Sequence, residues 1–364
     1  MATSSMHPLA GGSFSNMMKL LWAHRVEPKY FTKAAAAGLL SAFGAPGRQV
    51  SRLQFDKKAK ALTFEQDPVF ILGHWRSGTT YLHHLMGQDP NFCYVSSYQA
   101  LAPEQFLRDN KLSRYFVEKN LPKKRPIDNV ELSMQKPEEE EFVMANVSPH
   151  SYIHTFFFPK DAQDIFNKSI LFEGITEEEK AEWEAQYVRS LKFASLGMEG
   201  KRALAKSPGN TGRISTLLKI FPDAKFVHIY RNPYVVFFSH RRTCLKLLEM
   251  WKLQDFDQAE VEANILSNYK TLMEKFFEER TLIPPNNLIE IRYEDFEVDQ
   301  LNTLEKIYNT LELDGFDQAK KLLNAHIEAN ANYKKNVYNL DPDTIERVHS
   351  AWQFTIDKWG YEAP

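Results

Sequence analysis

The stretch "ILGHWRSGTT", residues 71–80, decides how this chain is read. Apolar residues run into Gly73, then a charged Arg76 and the hydroxyls of Ser77, Thr79 and Thr80. The pattern is a buried strand that ends at Gly73, turns, and enters a helix near Thr79. Ser77, Gly78, Thr79 and Thr80 then lie at the helix N-terminus, where unpaired backbone N–H groups and the helix dipole favour an anion such as phosphate or sulfate. Gly73 and Gly78 have the separation found in the nucleotide-hydrolysing loop G-x-x-x-x-G-K-[ST], but Thr79 stands where that loop carries lysine. The positive charge has moved to Arg76, whose planar fork grips two oxygens of a tetrahedral anion and stays charged at any working pH. His74, inside the turn, either orients the ligand or caps the strand.

Working outward, short apolar runs recur at "PVFILG", "RALAKS", "AKFVHIYR" and "NLIEIRY", separated by long helical patterns. A parallel sheet buried on both faces reads this way. The fold class is therefore α/β: a P-loop-type parallel sheet flanked by helices, with a mostly helical insertion after the first strand. That insertion, residues 98–195, is of the kind that shapes a substrate pocket. Thr176 with Glu179 forms a capping box ahead of a polar helix running toward Leu191. Asp341 followed by Pro342 opens the last helix. Residues 257–281 predict another helix, with Ile265, Tyr269, Leu272, Phe276 and Phe277 on one stripe. No repeat or Gly/Ser linker interrupts the chain, so residues 1–364 read as a single domain.

Composition narrows the function. The chain has 364 residues, 43% of them apolar, enough for a sizeable core. A formal net charge of -2 argues against a nucleic-acid partner and for a small anionic ligand. Cys93 and Cys244 stand alone, with neither a disulfide framework nor a zinc cluster in the spacing, which fits a reducing, cytoplasmic setting. The apolar run Ala34 to Phe43 is too short to span a bilayer. Met17 to Trp22 reads either as a helix packed on the domain or as a contact with a membrane or hydrophobic substrate. The 26 Phe and 15 Tyr, with "HTFFF" at 154–158, fit an apolar acceptor pocket or simply the core.

A second signature lies at "KFVHIYRNPYVVFFS", residues 225–239: a strand, an Arg-Asn-Pro turn and a helix. Arg231 and Ser239 are separated by two helical turns and reach one phosphate if the helix starts beside it. Together the two segments resemble the donor-binding signatures of sulfotransferases that use 3′-phosphoadenosine 5′-phosphosulfate (PAPS), in the bacterial branch with an Arg-Ser-Gly-Thr-Thr loop. The resemblance implies in-line transfer of a sulfuryl group to an acceptor hydroxyl or amine without a metal, which accounts for the missing lysine. It implies that Arg76, Ser77, Gly78, Thr79 and Thr80 hold the phosphosulfate, and that Arg231 and Ser239 hold the 3′-phosphate. Tyr81, and Tyr293 of "IRYEDF" (291–296), would lie against the adenine. Lys334 and Lys335 of "NYKKNVYN" (332–339) would close over the donor. Lys206 of "LAKSPGN" would face its bridging oxygen, joining Arg76 in stabilising the leaving group.

Many cytosolic members carry a catalytic histidine two residues after that lysine, but the position here is Pro208, which takes no proton. The bacterial branch has a carboxylate segment, Pro-x-Glu-[Asp/Glu]-Glu-Phe, and "KPEEEEF" at 136–142 fits it. Glu139 and Glu141 are therefore the candidate bases, with His150 and His154 behind them. The plainer reading is that Glu138 to Glu141 are acids favoured at a helix N-terminus. The resemblance leaves the acceptor undetermined; the aromatic content points to a pocket suited to a lipid or aromatic alcohol. Two rival readings stay open at this point: a P-loop kinase with a degenerate loop, and a non-catalytic nucleotide-binding protein.

Overall fold

A computed structural model describes residues 7–108, 111–120, 133–198, 201–331 and 341–364; Lys334 and Lys335 lie outside the described residues. The chain forms two compact units. One comprises Met1–Glu65, Tyr94–Gly200 and Lys246–Asp257; the other comprises Gln66–Cys93, Lys201–Leu245 and Gln258–Pro364.

The second unit is built on a five-stranded parallel sheet: β1 (Val69–Leu72), β2 (Phe92–Cys93), β3 (Arg202–Lys206), β4 (Lys225–Tyr230) and β5 (Leu288–Arg292), in the order β2-β3-β1-β4-β5. All four apolar runs of the sequence become strands. β1 is buried throughout because it is central, whereas the edge strand β5 alternates between buried and half-buried positions. β2 was not expected, since two residues paired with Arg202 and Ala203 are too few to leave a periodic signal.

One face of the sheet, with Val69, Ile71, Leu204, Val227 and Ile229, packs on Leu82 and Leu85 of the Thr79–Met86 helix and on Leu304 and Ile307 of the Gln300–Thr310 helix. On the other face Phe70 meets Phe221, and His228 stacks on Phe276 with ring centroids 3.8 Å apart. Phe276 belongs to the Gln258–Glu279 helix, within the range expected for it. Its stripe is Ile265, Tyr269, Leu272 and Phe276 with Met273 added, while Phe277 is only half-buried and lies edge-on to Trp359. Asp341 caps the last helix, accepting a hydrogen bond from the Thr344 amide at 2.8 Å.

The first unit is helical, and among its described residues there is no strand. Thr176 caps the Glu177–Gly197 helix with the reciprocal Glu179 box intact. Further along that helix, Arg189 pairs with both Asp56 and Glu104.

Parallel strands place all their C-terminal ends on one edge. β1 is the point where the order reverses, because β3 lies on one side of it and β4 on the other; ligands of open α/β sheets bind at such a point. The exit from β1 is sterically fixed. Gly73 has φ +139°, and a Cβ there would lie 2.3 Å from the Ile229 carbonyl oxygen, so only glycine lets β1 leave beside β4. The fully buried Thr211 hydroxyl clamps the same residue, accepting from the Gly73 amide at 2.9 Å and lying 3.3 Å from its carbonyl oxygen. Replacing Thr211 by the near-isosteric Val strands that buried amide. Urea unfolding of Thr211→Val should show a loss of about 1–3 kcal/mol; an unchanged midpoint would mean the clamp carries no stability.

Candidate functional site

Four strand ends supply the site, three of them through the turns that follow β1, β4 and β5 and the fourth through Lys206 at the end of β3. From β1 comes the loop His74 to Gly78. Arg76 holds φ +74° and Gly78 φ +100°, so the loop winds through two left-handed residues before the Thr79–Met86 helix begins. From β4 comes the Arg231-Asn232-Pro233 turn. The Asn232 side chain accepts from the amides of Tyr234 and Val235, at 3.0 and 3.3 Å, and so caps the Pro233–Trp251 helix, which carries Ser239. From β5 comes Tyr293, the first residue of a short helix.

These segments are joined by direct contacts. Arg76 Nε donates to Ser239 Oγ at 2.9 Å, and an Arg231 guanidinium nitrogen donates to the Arg76 carbonyl at 3.4 Å. The Arg231 guanidinium carbon lies 4.2 Å from the centroid of the Tyr293 ring. That ring in turn fills the space beside Gly78, where a Cβ would lie 2.3 Å from its Cδ2. The two signatures that are distant in sequence thus form one surface. Lys206, at the end of β3 and 1% exposed, donates to Thr80 Oγ1 at 3.3 Å. Tyr81 donates its phenol hydrogen to Gln300 at 2.6 Å and leans on Phe296. Burial pushes the Tyr293 phenol up to about 12, so it remains a neutral donor, to Glu297 at 3.1 Å.

The chemistry of this arrangement is that of an anion site. Arg76, Arg231 and Lys206 are linked through short contacts to one loop, together with the hydroxyls of Thr80 and Ser239 and a helix N-terminus. Positive groups gathered in this way are stabilised by a multiply charged anion lying among them. Arg76 links the two signatures, donating through Nε to Ser239 and accepting at its carbonyl from Arg231, while Lys206 lies beside Thr80 at the start of the Thr79–Met86 helix.

Several residues that sequence reasoning missed support the loop. Trp75 stacks on His240 at 5.6 Å, with an interplanar angle of 15°, and His74 meets His240, Tyr269 and Trp352 edge-on. Burial, followed by the neighbouring His74 ring and the Arg76 charge, holds His240 well below its usual pKa. His83 is likewise held neutral by burial and by the Lys206 charge. His240 follows Ser239 directly, so adjacency to the signature was the available signal; Thr211 had none.

Glu139 and Glu141 belong to the helical unit. Glu139 is the N-cap of the Glu140–Val147 helix. Glu141 is buried, and its Oε1 accepts from the Ser151 hydroxyl at 2.8 Å and the Tyr152 amide at 2.9 Å. Tyr187 donates to Glu140 at 2.7 Å. The ring nitrogens of His154 lie 3.1 and 2.9 Å from the carbonyl oxygens of Pro149 and Ala145, and burial lowers its pKa to about 4. His150 is also lowered, chiefly by burial.

Comparison with known proteins sets this geometry in context. Residues 68–318 match the model of a sulfotransferase family. The chain is 31% identical, over 97% of its length and 90% of theirs, to omega-hydroxy-beta-dihydromenaquinone-9 sulfotransferase Stf3 of Mycobacterium bovis and of Mycobacterium tuberculosis. Its fold resembles the crystal structure of sulfotransferase STF9 from Mycobacterium avium, with a TM-score of 0.71 at 18% identity over 95% of this chain and 90% of that one. Sulfotransferase STF1 from Mycobacterium tuberculosis gives 0.68 at 19% identity over 93% and 90%.

Two outcomes test the loop. Gly78→Ala combines a left-handed φ with a clash against the Tyr293 ring, so it should cost about 1–3 kcal/mol in denaturant unfolding and displace the Arg231 platform. Burial lowers the His74 pKa from 6.5 to about 3. The unfolded chain therefore binds the proton first as pH falls, and stability should decline below pH 6.5 and on toward 3, by up to about 1.4 kcal/mol per pH unit for this group. Urea titrations across that range should show a shallower decline for His74→Gln; an equal decline would assign the effect to other histidines.

Proposed function

The chain belongs to the sulfotransferase family, and on that premise we propose that it takes the sulfuryl group of PAPS and passes it in line to the hydroxyl of a lipid-type alcohol. The observation that carries the donor assignment is the Arg231–Arg76–Ser239 chain of hydrogen bonds, which joins the two phosphate signatures into one binding surface. The Arg76 fork and the N-terminus of the Thr79–Met86 helix hold the 5′-phosphosulfate. Arg231 and Ser239 hold the 3′-phosphate. Lys206, buried beside Thr80, opposes the negative charge that gathers on the leaving phosphate oxygen as the S–O bond breaks. Tyr81 and Tyr293 offer ring surface to the base.

A general base must remove the acceptor's hydroxyl proton as its oxygen attacks sulfur. We assign that proton to Glu139. Glu141 is committed to the Ser151 hydroxyl and the Tyr152 amide, which makes it a strut of its helix. The choice of a lipid-type alcohol as acceptor is supported by the relatives, whose printed name is omega-hydroxy-beta-dihydromenaquinone-9 sulfotransferase.

Isothermal titration with 3′-phosphoadenosine 5′-phosphate tests the donor. Arg231→Ala should weaken binding by about 2 kcal/mol, the loss of one charge-assisted contact; an unchanged Kd would remove Arg231 from the site. With labelled PAPS and long-chain alcohols, Lys206→Met should lower kcat by roughly 10²–10³ with little change in donor affinity. Glu139→Gln should lower kcat by about 10²–10⁴ in a folded protein, whereas Glu141→Gln should chiefly lower stability. The reverse pattern would exchange their roles.

A further inference from the structure

The Phe31–Ala61 helix is turned the wrong way for a helix whose outer face meets water. Its buried positions are Ala34, Ala37, Ser41, Arg48, Ser51 and Ala59, none of them a large apolar residue. The Ser41 hydroxyl donates to the Gly12 carbonyl at 2.7 Å, and Arg48 reaches both the Ser41 carbonyl and the Glu104 carboxylate. The large apolar side chains lie outside: Leu39, Phe43, Val50 and Leu53 are 74, 81, 39 and 75% exposed and fall on one helical stripe. From Ala34 to Gly47 the chain has no charged residue at all. The Phe14–Ala23 helix adjoins where Gly38 meets Met17, and its Trp22 is 93% exposed. Single exposed apolar side chains are ordinary on a protein surface, but an outward stripe of large apolar residues, opposite an inner face of alanine, serine and one arginine, marks contact with an apolar medium.

Charge identifies that medium. Residues 14–61 contain nine Lys or Arg against two Asp or Glu, in a chain whose net charge is -2; of the nine, Lys29 pairs with Asp255 and Arg48 and Arg52 pair with Glu104, and the rest outnumber the two acids. Lys57, Lys58 and Lys60, in the last turns of the same helix, are exposed, as are Lys19 in the Phe14–Ala23 helix and Arg25 just after it. A second copy of this chain would bring one basic face against another. We infer that this face docks on the surface of a bilayer carrying anionic lipid headgroups, its apolar stripe entering the acyl boundary and its lysines lying at headgroup level. No helix among the described residues is long and apolar enough to cross a membrane, so the contact is peripheral. This inference goes beyond the donor assignment and does not require it.

Co-sedimentation of the full chain with vesicles of phosphatidylcholine, with and without phosphatidylglycerol, tests it. The wild type should partition onto the phosphatidylglycerol vesicles at least about tenfold more strongly and be released by salt. The double substitution Leu39→Asp/Phe43→Asp should lose roughly tenfold or more of that partitioning, with circular dichroism and thermal unfolding confirming that it folds. A second variant, Lys57→Glu/Lys58→Glu/Lys60→Glu, leaves the stripe intact and should lose the preference for the anionic vesicles. Wild type remaining in the supernatant with both vesicles overturns the inference, as does a dimer in sedimentation velocity that the Leu39→Asp/Phe43→Asp protein no longer forms. Turnover of PAPS is read separately, so failure of the donor assignment leaves the vesicle result standing.

Discussion

The site depends on one packed contact, the ring of Tyr293 lying against the bare backbone of Gly78 while carrying the guanidinium of Arg231. Three separate strands end at this contact. Glycine is required at position 78 both for its left-handed φ and because any side chain would occupy the volume of the ring. The ring holds the cation in place, because a planar guanidinium resting on an aromatic face keeps less freedom than one surrounded by solvent alone. Arg231, so held, reaches back to the carbonyl of Arg76, itself a non-glycine residue at positive φ. The loop conformation and the second signature therefore support each other.

Much of this was legible in the sequence because its chemistry is local. The four apolar runs carry strand periodicity, and the glycine–arginine–hydroxyl turn and the Arg-Asn-Pro turn each contain their own reason for being where they are. Their juxtaposition across β1 and β4 follows from parallel pairing of the two strands that precede them. What could not be read was whatever depends on a partner distant in sequence. Thr211 looks like any threonine until it is found clamping Gly73. Glu141 and Glu139 are equivalent members of an acidic run until the Ser151 hydroxyl and Tyr152 amide single one of them out. The two-residue β2 is too brief for any period to show. The outward turn of the Phe31–Ala61 helix escaped for a related reason: its periodicity is regular, and only the identity of the buried face reveals the inversion.

The imidazoles around the loop share a theme. His74, His83 and His240 are all kept neutral, and for His83 and His240 the neighbouring cations Lys206 and Arg76 add to the effect of burial. A protonated imidazole there would add positive charge to a surface already rich in it. Neutral rings supply stacking area, as His240 does beneath Trp75, without competing for the anion.

The register of β4 fixes which way Arg231 faces. Ile229 packs into the core on one side of the sheet, while Tyr230 stacks on Trp359 on the other, with ring centroids 4.6 Å apart. Because strand side chains alternate, inserting or deleting a single residue between Lys225 and Arg231 would rotate the arginine to the opposite face. Relatives should therefore tolerate length variation in the loops at the far edge of the sheet, while the spacing from the start of β4 to the arginine stays constant.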